Sequence, residues 1–134
     1  MKEIITKNIK ILVVEDNPIS SFIAMSQLKR FGFEKVDVVE NGLLALKYLD
    51  QSSPDLIFLD LNMPELDGFE FLKITRRNGI CPNIAIVILT SSISQCDKKR
   101  VIEYSNVIDF LEKPLDRELI NQVIQKLYIR SYQS

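Results

Sequence analysis

Five side chains suited to ion-holding or bond-making chemistry share one placement in this sequence, the polar end of an apolar run. Glu15 and Asp16 follow Ile11-Leu12-Val13-Val14, Asp60 follows Leu56-Ile57-Phe58-Leu59, Thr90 follows Ile84 to Leu89, and Lys113 follows Phe110-Leu111-Glu112 just before Pro114. Taken singly, each has an ordinary explanation: an acid can end a strand and cap a helix, a hydroxyl can finish a strand, and a lysine can be solvated near a turn. Asp60 is harder to dismiss, because Leu59 and Leu61 flank it and a carboxylate among apolar neighbours needs compensation. Three acids at one place repel and raise one another's proton affinity unless a cation binds. An oxygen-only cluster suits Mg²⁺ (or Mn²⁺), which commonly takes one or two carboxylates together with phosphate oxygens. With Lys113 as a second cation toward an incoming anion, the set fits phosphoryl transfer, where positioning and charge neutralisation do most of the catalysis. Asp60 is the expected nucleophile, since carboxylates form acyl phosphates and it stands in the middle of the set.

Composition narrows the alternatives. The 134 residues suffice for one compact domain, 1–134 with a core at about 9–127, in which roughly 70% of the unfolded surface is buried. Lys+Arg 17 against Asp+Glu 18 leaves a net charge of -1, so no global positive field draws in DNA or an anionic membrane. No apolar run approaches the ~20 residues that span a bilayer, and the start lacks a secretory core, so a soluble cytoplasmic protein is expected. The absence of histidine removes His-based zinc sites, Ser-His-Asp and Cys-His catalysis, and histidine phosphotransfer within the chain. Cys81 and Cys96 form no CxxC pair and read as free thiols, buried or semi-exposed.

The elements that must position these groups follow from hydrophobic period. Three runs, Ile9–Val14, Leu56–Leu59 and Ile84–Leu89, are nearly continuous, as strands covered on both faces are. Lys35–Val39 and Val107–Leu111 fit two weaker strands. The first helix is punctuated by Asn17 as cap, Pro18 at its first position and Gly32 at its end, with Phe22, Met25, Leu28 and Phe31 expected to face the core. Further helices are expected from Gly42 through Leu49, from Asp67-Gly68 to before Asn78-Gly79, over much of Ser94 to Tyr104, and from about Asp116 to Tyr128. The first few residues and Arg130 to Ser134 are expected to fray. This alternation describes a doubly wound α/β sandwich around a central five-stranded parallel sheet, whose working groups gather beyond the carboxyl ends of the strands.

Read in order, Ile11-Leu12-Val13-Val14-Glu15-Asp16-Asn17-Pro18, Asp55 to Pro64, Leu66-Asp67-Gly68, Ile88-Leu89-Thr90-Ser91 and Phe110-Leu111-Glu112-Lys113-Pro114 resemble the CheY-like receiver domains of two-component response regulators, from about Ile9 to Leu127. The resemblance implies a flavodoxin-like (βα)5 fold, with Asp60 as phosphoacceptor and Asp16 and the backbone carbonyl of Asn62 as metal ligands. Glu15 would hold the metal through water or directly. Thr90 and Lys113 would contact phosphoryl oxygens, Phe110 would be the switch aromatic that follows Thr90, and Lys113-Pro114 would be cis. Asn62 and Ser92 occupy positions that tune phosphoryl lifetime. Implied partners are a sensor histidine kinase or phosphotransfer protein, and a downstream protein bound through the face of the fourth helix, fifth strand and fifth helix. The chain would then be a stand-alone signalling switch that promotes phosphotransfer to its own aspartate and turns over no separate substrate.

Departures and rivals bound this reading. Glu15 replaces the more frequent Asp of the acidic pair, and Ser105-Asn106-Val107 replaces a turn that usually carries Gly, where Asn106 is able to accept a left-handed conformation and the detailed shape of the turn is left open. A haloacid-dehalogenase-like phosphohydrolase would want a second acid two residues after Asp60, where Asn62 stands. Flavin binding would want a phosphate-cradling Gly-rich loop after the first strand, and none is there. A degenerate receiver serving as an unphosphorylated scaffold is at odds with the retention of every chemical group. Lys98-Lys99-Arg100 is expected to be a solvated face, and the sequence leaves the oligomeric state open.

Overall fold

Near-continuous apolar runs are buried only when both faces of a strand are covered, and the computed structural model, which describes residues 6–91 and 93–133, has that arrangement. After helical residues 6–8, strands and helices alternate as β1 (Lys10–Val14), α1 (Pro18–Phe31), β2 (Lys35–Val39), α2 (Gly42–Gln51), β3 (Leu56–Leu59), α3 (Gly68–Arg77), β4 (Ala85–Thr90), α4 (Gln95–Ile102), β5 (Val107–Glu112) and α5 (Arg117–Gln133). The sheet is parallel throughout and ordered β2-β1-β3-β4-β5. The fold is the flavodoxin-like α/β sandwich expected. β3 lies at the centre, and every residue of β3 and β4 is buried. The chain reverses its direction of travel across the sheet between β1 and β3, which is where open α/β sheets place their sites.

Alternate residues along the strands feed two cores. Ile11, Val13, Leu56, Phe58, Ala85, Val87 and Leu89 meet Ala24, Leu28 and Phe31 of α1 and Ile120 and Val123 of α5. Leu12, Val14, Ile57, Leu59, Ile86 and Ile88 meet Ala45 of α2, Phe71 and Leu72 of α3 and Val101 of α4. Each fully buried aliphatic or aromatic side chain contributes about 1.5–3 kcal/mol. Helix ends are fixed as their residues dictate. The Asn17 side chain accepts from the N–H groups of Ile19 and Ser20, and Asp67 and Glu70 form a reciprocal capping box on α3.

Some expectations are corrected. Phe22 is 70% exposed, whereas Leu28 and Phe31 are buried and Met25 packs at the core's edge. Phe31 lies nine positions beyond Phe22, two and a half turns at 3.6 residues per turn, so the two rings lie on opposite sides of α1 and Ala24 takes the inward place. α5 continues to Gln133 instead of stopping at Tyr128 and fraying from Arg130. No Gly or Pro interrupts that stretch, and each added residue of a nucleated helix gains a hydrogen bond. Met1 to Ile5 and Ser134, also expected to fray, lie outside the described residues. Asn106 does not take a left-handed conformation, since among the described residues Glu65 and Cys81 are the non-glycine residues with positive φ. Its side-chain amide instead donates to the Ile84 carbonyl at 3.2 Å, and its own carbonyl accepts from Ile86 N–H at 2.8 Å, tying the turn to β4. Cys81 is half-buried and Cys96 is exposed, both as free thiols. Lys98, Lys99 and Arg100 are exposed, although the Arg100 guanidinium stacks 3.6 Å above the Phe69 ring.

Candidate functional site

Strand ends at the carboxyl edge are pinned one residue beyond their regular spans. Glu15 N–H donates to Val39 O at 3.0 Å, Asp60 N–H to Val14 O at 3.0 Å, and Lys113 N–H to Thr90 O at 2.7 Å. The backbones of Glu15, Asp60, Thr90 and Lys113 are thereby fixed by the sheet itself, which is why apolar strands that differ in composition deliver polar side chains to one edge.

Glu15, Asp16 and Asp60 each place a carboxylate oxygen within 4.8 Å of the others. Asp16 is exposed, while Glu15 and Asp60 are only 4% and 5% accessible. Lys113 reaches both buried acids: Nζ contacts Glu15 Oε1 and lies 3.3 Å from Asp60 Oδ2. Removing one partner of such a buried pair costs about 3–5 kcal/mol, because the other charge stays buried and uncompensated. The second oxygen of Glu15 accepts from Asn17 N–H at 3.1 Å, and the second oxygen of Asp60 accepts a long bond from Asn62 N–H at 3.4 Å. Burial pushes the Glu15 carboxyl above its ordinary value, against the pull of the hydrogen bonds from Lys113 and Asn17, and the nearby charge of Asp60 adds to the rise.

Thr90 ends β4 beside this cluster and is buried. Phe110 of β5 pairs in register with Ile88 and is half-buried, lining a groove of about 230 Å³ together with Lys98, Ile102, Asp109 and Lys126. The Lys113-Pro114 bond is cis. Asn62 stands in the β3–α3 loop, two residues from Asp60, and Ser92 lies outside the described residues. The donor set fits a hard divalent cation: three carboxylates drawn together, all oxygen, with no thiol or imidazole among them.

Gly68 contributes something the side chains alone do not disclose. A Cβ at Gly68 would stand 2.5 Å from the Asp60 carbonyl oxygen, and Gly68 N–H donates to Leu61 O at 3.1 Å, so α3 starts directly against the Asp60 backbone. Gly42 clamps the same loop from α2, donating to Leu66 O at 2.9 Å. Between these points Leu66 N–H bonds Pro64 O at 2.8 Å across Glu65, whose φ is 69°, a γ-turn centred on a residue other than glycine. The Leu66-Asp67-Gly68 motif was the available signal for the Gly68 contact. Nothing in the sequence marked Glu65.

A family model described as the response regulator receiver domain matches residues 11–125. Hybrid signal transduction histidine kinase K of Dictyostelium discoideum is 36% identical over 124 residues, covering 87% of this chain but 10% of that protein, so the chain spans a tenth of its relative's length. The receiver domain of Francisella response regulator 1452 superposes with a TM-score of 0.75 at 31% identity, covering 92% of this chain and 99% of that one. The receiver domain of the sensor histidine kinase PA1611 from Pseudomonas aeruginosa PAO1 superposes with a TM-score of 0.78 at 26% identity, over 90% and 98% of the two chains. That structure holds a magnesium ion coordinated in its active-site cleft.

Proposed function

The chain belongs to the response regulator receiver domain family, and from that premise we propose that it is a phosphoacceptor switch in which Asp60 takes a phosphoryl group from a histidine kinase or phosphotransfer protein. The observation that carries the reading is the convergence of Glu15, Asp16 and Asp60 around one point, with the ammonium of Lys113 on the two buried members. A divalent cation such as Mg²⁺, held by these three residues and the Asn62 carbonyl, would supply charge neutralisation between the carboxylates and the phosphoryl oxygens.

Asp60 offers its carboxylate oxygen in line to the phosphorus of a phosphohistidine. The P–O bond forms as the P–N bond breaks, and the bonding pair leaves on the donor imidazole. The chain's lack of histidine is consistent with a donor supplied by the partner. Lys113 pairs with one phosphoryl oxygen and the Thr90 hydroxyl with another. The aspartyl phosphate carries roughly two negative charges where the carboxylate carried one, and it shifts a pre-existing equilibrium between conformers. Thr90 and Phe110 move together in that shift, and the α4–β5–α5 face changes its affinity for a downstream protein. The domain turns over no separate substrate.

The reading is tested by intact-protein mass after incubation with acetyl phosphate and Mg²⁺, repeated with a chelator. A single hydroxylamine-labile phosphoryl adduct that the chelator abolishes is expected. No adduct, or equal labelling in the chelator, overturns it.

A further inference from the structure

Both oxygens of Glu15 are engaged, one by Asn17 N–H at 3.1 Å and one by Lys113 Nζ. Its backbone is pinned to Val39 by a 3.0 Å bond, so the reach from position 15 to Lys113 is set by side-chain length. Glutamate has one methylene more than aspartate, and here that length spans to the ammonium. Lys113, in turn, is 16% exposed and bridges Glu15 and Asp60, leaving Asp16 as the exposed acid of the three. Three carboxylates and one ammonium leave two negative charges uncompensated, which a divalent cation would cancel. Yet the cation and the ammonium repel each other across a few ångströms at a site largely screened from water.

Building on the receiver reading, we propose that Glu15 is a positioning residue for Lys113: it holds the ammonium over Asp60 as a resident counter-ion, and a divalent cation must compete with Lys113 for the Glu15 carboxylate. Cation binding then frees Lys113 to turn toward the phosphoryl oxygens, which couples the two positive charges in sequence. A glutamate acting only as a cation ligand would have no such dependence on Lys113.

The test is Mn²⁺ affinity, from free ion counted by electron paramagnetic resonance, for the full chain and its Glu15→Asp, Lys113→Gln and doubly substituted forms. Thermal melting without cation checks that each is folded. Lys113→Gln is expected to tighten Mn²⁺ on the order of tenfold, within the coupling that contacting residues reach. Glu15→Asp is expected to tighten it by releasing Lys113, and to lose that gain once Lys113 is Gln. If Glu15→Asp changes affinity equally with and without Lys113, or weakens it while Lys113 is present, Glu15 does not act through Lys113 and the proposal is overturned while the receiver reading stands. If the unsubstituted chain binds no Mn²⁺ at millimolar concentration, both fail.

Discussion

Gly68→Ala separates the geometry of the phosphoacceptor from the stability of the fold. The added Cβ would meet the Asp60 carbonyl oxygen at 2.5 Å and the Leu61 Cα at 2.8 Å, both backbone atoms that cannot rotate away. Ordinary contact begins near 3.4 Å, so the start of α3 and the Asp60 peptide must part by roughly 0.9 Å. Overpacking of this kind costs about 1–3 kcal/mol, and alanine's better helix propensity returns up to about 1 kcal/mol, leaving a net loss near 1–2 kcal/mol. A displacement of about 1 Å at a reacting group lowers rate on the order of a hundredfold. Gly79→Ala is the control. With φ +64° and nothing within 4 Å of its would-be Cβ, it loses about 1–2 kcal/mol through backbone strain alone, far from Asp60. Urea denaturation is expected to show comparable losses for the two variants, while the rate of phosphorylation by acetyl phosphate falls only for Gly68→Ala. Labelling of Gly68→Ala at the unsubstituted rate would refute the claim that this contact sets the position of Asp60.

Glu65→Gly is expected to stabilise the fold by about 0.5–1 kcal/mol in urea denaturation, because relief of the positive φ exceeds glycine's entropic cost; a loss would show the turn to be unstrained. Phe22→Ser is expected to change stability by less than about 0.5 kcal/mol, as for other surface positions, and a loss of about 3 kcal/mol or more would place the ring in the core after all. In chelator, Glu15 with its raised carboxyl binds a proton more tightly folded than unfolded, so its contribution to stability is fully present below the ordinary value of 4.5 and is lost as pH rises through the higher folded value. Relative to Glu15→Gln, the unsubstituted chain should therefore gain stability as pH is lowered from neutral toward 4.5; a flat difference would mean burial does not act on Glu15 as described.

Much of this architecture was legible in the residues because the strands are buried on both faces. Leu56–Leu59 and Lys35–Val39 have the spans their periodicity suggests, and the acids stand where strand ends put them. Apolar periodicity failed at Phe22, where a spacing of three repeated over nine residues drifts around the helix and cannot keep one face inward. The end of α5 was missed because a helix without a breaker is stopped by tertiary context, which composition does not encode. At the site, residue types announced an acid cluster with a lysine nearby. That Lys113 spans Glu15 as well as Asp60 depends on a methylene and on strand register, and only coordinates could reveal it. Asn106 illustrates the same limit, since a residue able to adopt a left-handed turn here uses its amide to bridge to Ile84 instead.

The most direct test of the central claim is to locate the phosphoryl group. After acetyl phosphate and Mg²⁺, borohydride reduction converts an aspartyl phosphate to homoserine, and peptide mass spectrometry reads the position. Conversion at residue 60 alone, absent from Asp60→Asn, is the expected result. Conversion at Asp16 or another acid, or an adduct of unchanged amount in Asp60→Asn, would contradict the account.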